Sequence, residues 1–213
     1  PHKIKPQSHK FSVAYIPRKA FRTKKLGMDI LMGVAVNGIP FDPMAAEFYL
    51  GNHKGWQYNA LGGAIPLGLD ANYAHVQPSG AYHYHGLPVG LMQELGWQAG
   101  RPSPLIGYAA DGFPIFAMTA KVDGKVKRMR SSYRLKPGNR PGGSKPSGPH
   151  DGSFINDYEY VRGAGDLDAC NGVKVTTPDY PNGVYAYFLT RKFPVVPRCL
   201  VGKIGKGFKK ARR

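Results

Sequence analysis

The sequence predicts a mainly β, β-sandwich-like single domain with long loops and few short helices. Its 213 residues include 28 glycines and 19 prolines, and these stand between apolar and aromatic runs, where they read as turns joining short elements. Several of the runs alternate with period two or are short and wholly apolar, as strands are. Hydrophobic residues make up 42% and aromatics 12%, enough for one buried core, and all-β units of this length are commonly single.

Residues 1–28 form a basic arm with one short apolar run, Phe11 to Ile16. Asp29 to Val36 reads as a buried strand, and Asn37-Gly38 after it is a turn signal. Phe41 to Tyr49 carries helix-start signals, with Asp42 as N-cap, Pro43 at the first helical position and Glu47 in the second turn. Gly51 to Leu69 is expected as an irregular loop organised by Trp56 and Tyr58. In the run GAYHYHG, alternation along a strand turns Tyr82 and Tyr84 to one side and His83 and His85 to the other. Pro88 to Leu95 fits a helical turn, and Leu105 to Met118 a hairpin about Asp111-Gly112. Residues 121–149 are basic and rich in Gly, Pro and Ser, a loop insertion expected to be extended or partly disordered. Phe154 to Val161 and Gly183 to Thr190 are strand candidates. The expected organisation is therefore an arm over 1–28, a β-rich domain over 29–202 containing the 121–149 insertion, and a basic tail over 203–213.

The net charge is +17 and unevenly placed. The first 25 residues carry eight Lys/Arg and no acid, and residues 203–213 carry six and no acid. Such segments suit a polyanionic surface (nucleic acid, anionic lipid or polysaccharide) or an acidic partner chain. Sequence-specific nucleic-acid recognition is disfavoured, because the basic segments hold no helix-turn-helix, zinc-finger spacing or aromatic stacking motif. No stretch approaches the ~18 apolar residues of a membrane span. Cys170 and Cys199 are two free thiols, as in a cytosolic chain, or one disulfide closing the C-terminal third. The Pro-rich, aromatic-rich context fits the bridge better, and a bridge needs an oxidising compartment. The chain opens on Pro1 without Met, as it would after removal of a signal peptide or after trimming.

His83 and His85 lie on one strand face, with Cα atoms ~6.8 Å apart. Two imidazoles at that separation lean toward one ion. His75 precedes them beyond the turn signal Gln77-Pro78-Ser79-Gly80, and an antiparallel pairing across that turn brings it to the same face. Asp70 or His150 is a candidate to complete or orient the set, with Asp151 behind His150. Three His with an open position hold a catalytic zinc, and imidazole with mixed oxygen ligands also suits copper. The competing expectation is a polar core in which these histidines hydrogen-bond to backbone and tyrosine. A second cluster, Asp166, Asp168 and Asn171 in GAGDLDACNG, offers oxygen ligands for calcium, although its spacing matches no EF-hand. Internal ion pairing to arginines competes with that calcium site. Nucleophile elbow, phosphate loop and zincin templates are missing from the sequence.

At GLDANYAHVQPSGAYHYHGLP the chain resembles the YHYH domain family, named for the tetrapeptide that stands here as Tyr82 to His85. The likeness continues through IGYAADGFPIF, HDGSFINDYEYVRGAGDLDACNG and TPDYPNGVYAYFLTRKFPVVPRCLVG. It covers about residues 29–202. The resemblance implies export and supports the Cys170–Cys199 bridge, and it supplies no reaction. Two functions follow from these residues. One is an exported metal-binding domain whose His cluster holds copper or zinc, with hydrolytic or redox activity if the metal keeps an open position. The other is a non-enzymatic binding or assembly protein attached through its basic arms.

Overall fold

Turn chemistry sets the local order of the chain, whose residues 2–210 are described in a computed structural model. Gly112, with φ of 88°, donates its N–H to Ala109 O at 2.8 Å and closes the expected hairpin. That turn joins β6 (Leu105–Ala109) to β7 (Pro114–Ala117). The fold is mainly β, a single domain with one short α-helix, α1 (Val89–Glu94), and two 3-10 turns among the described residues.

One mixed sheet of eight strands organises the molecule. Its order is β12 (Gly172–Thr177), β13 (Tyr180–Leu189), β7, β6, β2 (Gly33–Ala35), β3 (Pro40–Phe41), β5 (Tyr82–Tyr84) and β4 (Ala74–Val76). Three two-stranded ribbons accompany it: β1 (Lys19–Lys25) with β14 (Cys199–Gly202), β8 (Thr119–Val122) with β9 (Lys125–Arg128), and β10 (Tyr133–Leu135) with β11 (Tyr158–Tyr160). Alternation along β13 feeds two apolar clusters. Tyr187 and Leu189 join Ile106, Ile115, Leu200 and α1 residues Leu91 and Met92 on one side. Ala186 and Phe188 join Phe116, Ala120, Met129 and Leu167 on the other. The central strands are thus buried on both faces, under layers that ribbons and the helix complete.

Three local expectations are corrected by long-range contacts. No helix forms over Phe41 to Tyr49. Pro40–Phe41 is strand, and Asp42 spends one carboxylate oxygen on the Met44 N–H at 3.2 Å while the other pairs with Lys210. Residues 121–149 are not a plain loop, because β9, β10 and an Asn139–Pro149 bridge give the segment order. Arg140 fixes it by a double hydrogen bond to Asp157, 2.8 Å from Nε and 2.7 Å from the terminal nitrogen. The tail is also part of the fold. Phe208 is fully buried, stacks on Phe11 at 4.7 Å and accepts the Leu31 N–H at 2.9 Å. The tail's residues 211–213 lie outside the described ones.

Cys170 and Cys199 form the disulfide, spanning a sequence separation of 29 and joining the turn before β12 to β14. A loop of that size predicts a loss of roughly 3 kcal/mol on replacing both cysteines by serine, seen as a lower denaturant midpoint. Asp157 is wholly buried and also accepts the Gly152 and Phe154 N–H groups. Asp157→Ala leaves Arg140 with the half-exposed Asp151 as its remaining carboxylate and takes the acceptor from the Gly152 and Phe154 N–H groups, and urea unfolding should show a cost of about 3 kcal/mol.

Candidate metal centre

The site begins with a hairpin at the end of the large sheet. β4 and β5 pair antiparallel in the register His75↔His83, with Ala74 opposite Tyr84 and Val76 opposite Tyr82. The turn between them is the one the Gln77–Gly80 segment signals: Gly80 N–H reaches Gln77 O at 2.8 Å and Gln77 N–H reaches Ala81 O at 2.9 Å. Asp70 fastens the open end. Its Oδ1 accepts the N–H groups of Asn72 and Ala74, and its Oδ2 accepts the Tyr82 hydroxyl at 2.5 Å. Directly opposite residues project to the same face of a sheet, so His75 and His83 meet, and the two-residue period brings His85 alongside.

Three imidazoles converge as a result. The Nε2 atoms of His83 and His85 are 3.0 Å apart, and those of His85 and His75 3.1 Å. Their ring centroids lie 4.6–4.9 Å from one another. His83 and His85 are buried, and His75 is half-buried at the edge strand. Burial is the main cause that pushes the His83 imidazole down to about 4 and His85 well below its ordinary value, so both are neutral at pH 7. Neutral imidazole is the ligating form.

Proton accounting at this cluster is informative. His75 Nδ1 lies 2.8 Å from the Leu67 carbonyl oxygen, which makes Nδ1–H the donor, so the neutral ring would carry its lone pair on Nε2. A neutral His85 has at most one hydrogen on Nε2, and it cannot point along both short contacts. Were His83 to supply the proton for one contact, the other would set two lone pairs face to face. The Nδ1 atoms of His83 and His85 face the backbone near Ala81 and Asp42 but make no hydrogen bond of good geometry. Protons on all three Nδ1 atoms leave a lone pair on each Nε2, with that of His85 within 3.1 Å of both others. A tetrahedral cation with Zn–N of about 2.0–2.1 Å sets its ligand nitrogens ~3.3 Å apart, close to the spacing seen here. The donor set of three imidazole nitrogens therefore fits a transition metal with a fourth position for water or another ligand.

The remaining sequence candidates fall elsewhere. Asp70 orients the hairpin and is outside the group of converging ligand atoms. His150 stacks on Trp56 at 6.5 Å, with Nδ1 3.0 Å from the Gly138 carbonyl oxygen, and it too is outside that group. Asp166, Asp168 and Asn171 each already hold partners within the fold. Asp166 pairs with Lys127 at 2.5 Å and with Arg130 at 3.3 Å, rather than with the arginines nearest in sequence. Asp168 accepts the Cys170 and Gly172 N–H groups and the Tyr185 hydroxyl. Asn171, at φ of 58°, is fully buried and donates to Phe188 O, Thr190 Oγ1 and Pro194 O. Among the described residues, the three histidines are the group of His, Cys, Asp and Glu side chains arranged to share an ion.

Two contributors escape sequence reasoning. The Leu67 carbonyl is a main-chain atom and carries no side-chain signature. Asp42 and Lys210 are paired beside the His83 and His85 rings, although 168 residues separate them in the chain. Tyr84 packs in the core, lying 5.5 Å from Phe41 with its hydroxyl receiving the Asn37 amide at 3.0 Å.

The geometry defines a β-rich domain carrying a three-histidine site at the end of its main sheet. The chain belongs to the YHYH family: the model of the YHYH protein matches residues 10–202 of the 213. No curated protein and no solved structure matches the chain.

Substitution separates ligands from bystanders. His150→Ala should leave metal stoichiometry unchanged. Asp70→Ala should keep stoichiometry and weaken affinity by roughly 10–100-fold through a loosened hairpin. Titration calorimetry with zinc measures both.

Proposed function

We propose that this chain is an exported metal-binding domain in which His75, His83 and His85 hold one transition-metal ion through their Nε2 atoms. The carrying observation is the convergence of three Nε2 atoms, with spacings of 3.0 and 3.1 Å that single protons cannot all satisfy. A purely nitrogen donor set without thiolate favours zinc or copper over calcium or magnesium. His83 and His85 are buried and His75 is half-buried, so the cluster is reached from solvent on the His75 side. Bound there, the metal would supply Lewis acidity or redox chemistry. Within the protein, Leu67 fixes the His75 tautomer, Asp70 holds the hairpin closed, and the Asp42–Lys210 pair sets the charge beside the buried rings.

Export is supported by the Cys170–Cys199 bridge, which is stable in an oxidising compartment, and by the family resemblance. No helix among the described residues is long and apolar enough to cross a membrane. Attachment through the basic segments, to a polyanionic surface or an acidic partner, is compatible with the same site.

The test is metal content. Protein purified without an affinity tag and exposed to equimolar zinc and copper should retain about one equivalent, measured by inductively coupled plasma mass spectrometry. His83→Ala/His85→Ala should retain none while keeping the far-ultraviolet circular dichroism of the parent. Retention of a full equivalent by a His75→Ala/His83→Ala/His85→Ala variant, or none by the folded parent, would overturn the proposal.

A further inference from the structure

Folding merges two basic segments that stand almost 200 residues apart in sequence. Ser12 and Lys206 exchange main-chain hydrogen bonds of 3.0 and 2.9 Å, and Phe11 stacks on the buried Phe208. β1 then runs along β14, which leads into the tail. The register between them is irregular. Lys19 lies opposite Gly202 and Lys24 opposite Leu200, so five steps of β1 face two of β14. Residues 20–23 stand opposite Val201 alone, so three of the four are extra, and a bulge of this kind re-aims side chains outward. Phe21 sits on that bulge and is 98% exposed. Tyr15, just before the strand, is also 98% exposed, and Ile16 beside it 70%. Arg18, Arg22, Lys24, Lys25, Lys203 and Lys206 lie along β1 or at the chain paired with it, and none of the six has a carboxylate within 4.0 Å among the described residues.

We propose that this face is a docking surface for an anionic lipid bilayer, with Phe21 and Tyr15 entering the headgroup region and the cations meeting lipid phosphates. Both halves of the arrangement need an occupant that is negative and apolar at once. A Phe projected on a bulge gains nothing from a heparin-like chain, whose attraction to the cations is complete without it. At a bilayer the ring finds an apolar layer beneath a negative surface, the setting that aromatic side chains and snorkelling Lys and Arg share. Each cation near such a surface contributes roughly fivefold in partitioning, about 1 kcal/mol. The surface is independent of the three-histidine site, and its test does not require metal.

Sedimentation of the full chain with sucrose-loaded vesicles tests this directly. Vesicles of phosphatidylcholine with about a third phosphatidylglycerol should bind at least ~10-fold better than phosphatidylcholine alone, with affinity falling steeply as NaCl rises. Tyr15→Ser/Phe21→Ser should lose roughly tenfold of the vesicle affinity and leave heparin binding unchanged. Arg22→Glu/Lys24→Glu should weaken both. All four positions are exposed, so both variants should keep the parental thermal midpoint. Chelator treatment should leave vesicle binding unaltered, which separates this surface from the metal site. Equal binding to both vesicle types would overturn the proposal. So would a Tyr15→Ser/Phe21→Ser protein that binds anionic vesicles as tightly as the parent, since the face would then be a general polyanion site.

Discussion

The pairing of His75 with His83 is the constraint on which the site depends. A strand slipped by one residue turns every side chain to the opposite face, and here it would separate His75 from its two partners. The register is held from both ends. Gly80, at φ of 86°, closes the turn, and Asp70 receives two main-chain N–H groups and the Tyr82 hydroxyl at the open end. Neither device touches the converging nitrogens. They matter because β4 is the outermost strand of the sheet and has a strand neighbour on one side only. A lone edge hairpin of three-residue strands would be marginal without such fastening.

Packing behind the hairpin supplies the rest of the positioning. β3 pairs parallel to β5 through Phe41 and Tyr84, and the Asp42 N–H reaches the Tyr84 carbonyl at 2.9 Å. This places Asp42 beside the histidines, where it receives Lys210 from the far end of the chain. Lys210 is carried there by the tail, anchored through the buried Phe208 and by the Lys210 N–H to Asp29 O at 2.8 Å. A segment that reads as a solvated tail is therefore part of the wall near the site. Arg198 follows the same logic: burial lowers its guanidinium from the ordinary value to about 10, and it donates to the Pro43 carbonyl just after Asp42.

What could be read from sequence was what local chemistry decides. Asp111-Gly112 announces its turn, GVYAYFLT its strand, and the two-residue spacing of His83 and His85 their common face. His75 joined them because the intervening Gln77-Pro78-Ser79-Gly80 fixes an antiparallel return. Illegible features are those that depend on distant partners. Asp42-Pro43 begins a helix or an extended corner with equal grace, and Lys210 together with the β3–β5 pairing decides for the corner. The 121–149 segment has few apolar residues to announce order, and an ion pair from Arg140 to Asp157 orders it. Asp166 and Asp168 looked like ligands because a sequence shows carboxylates without showing what they already hold.

The same accounting distinguishes the histidines from those acids. Both carboxylates in the Asp166–Asp168 cluster have their donors, and Asn171 spends both amide hydrogens within the core, with its Oδ1 the one atom there left without a donor. At the histidine cluster the sum does not close: two buried Nδ1 atoms have no good acceptor and three Nε2 atoms share too few protons. An unsatisfied buried polar group costs about 1–3 kcal/mol, and folded chains leave few of them. A cluster that breaks the rule several times over within one hairpin needs something to offset it. A cation held there would take the Nε2 lone pairs of all three rings together, leaving one proton on each Nδ1, where His75 already has the Leu67 carbonyl as acceptor.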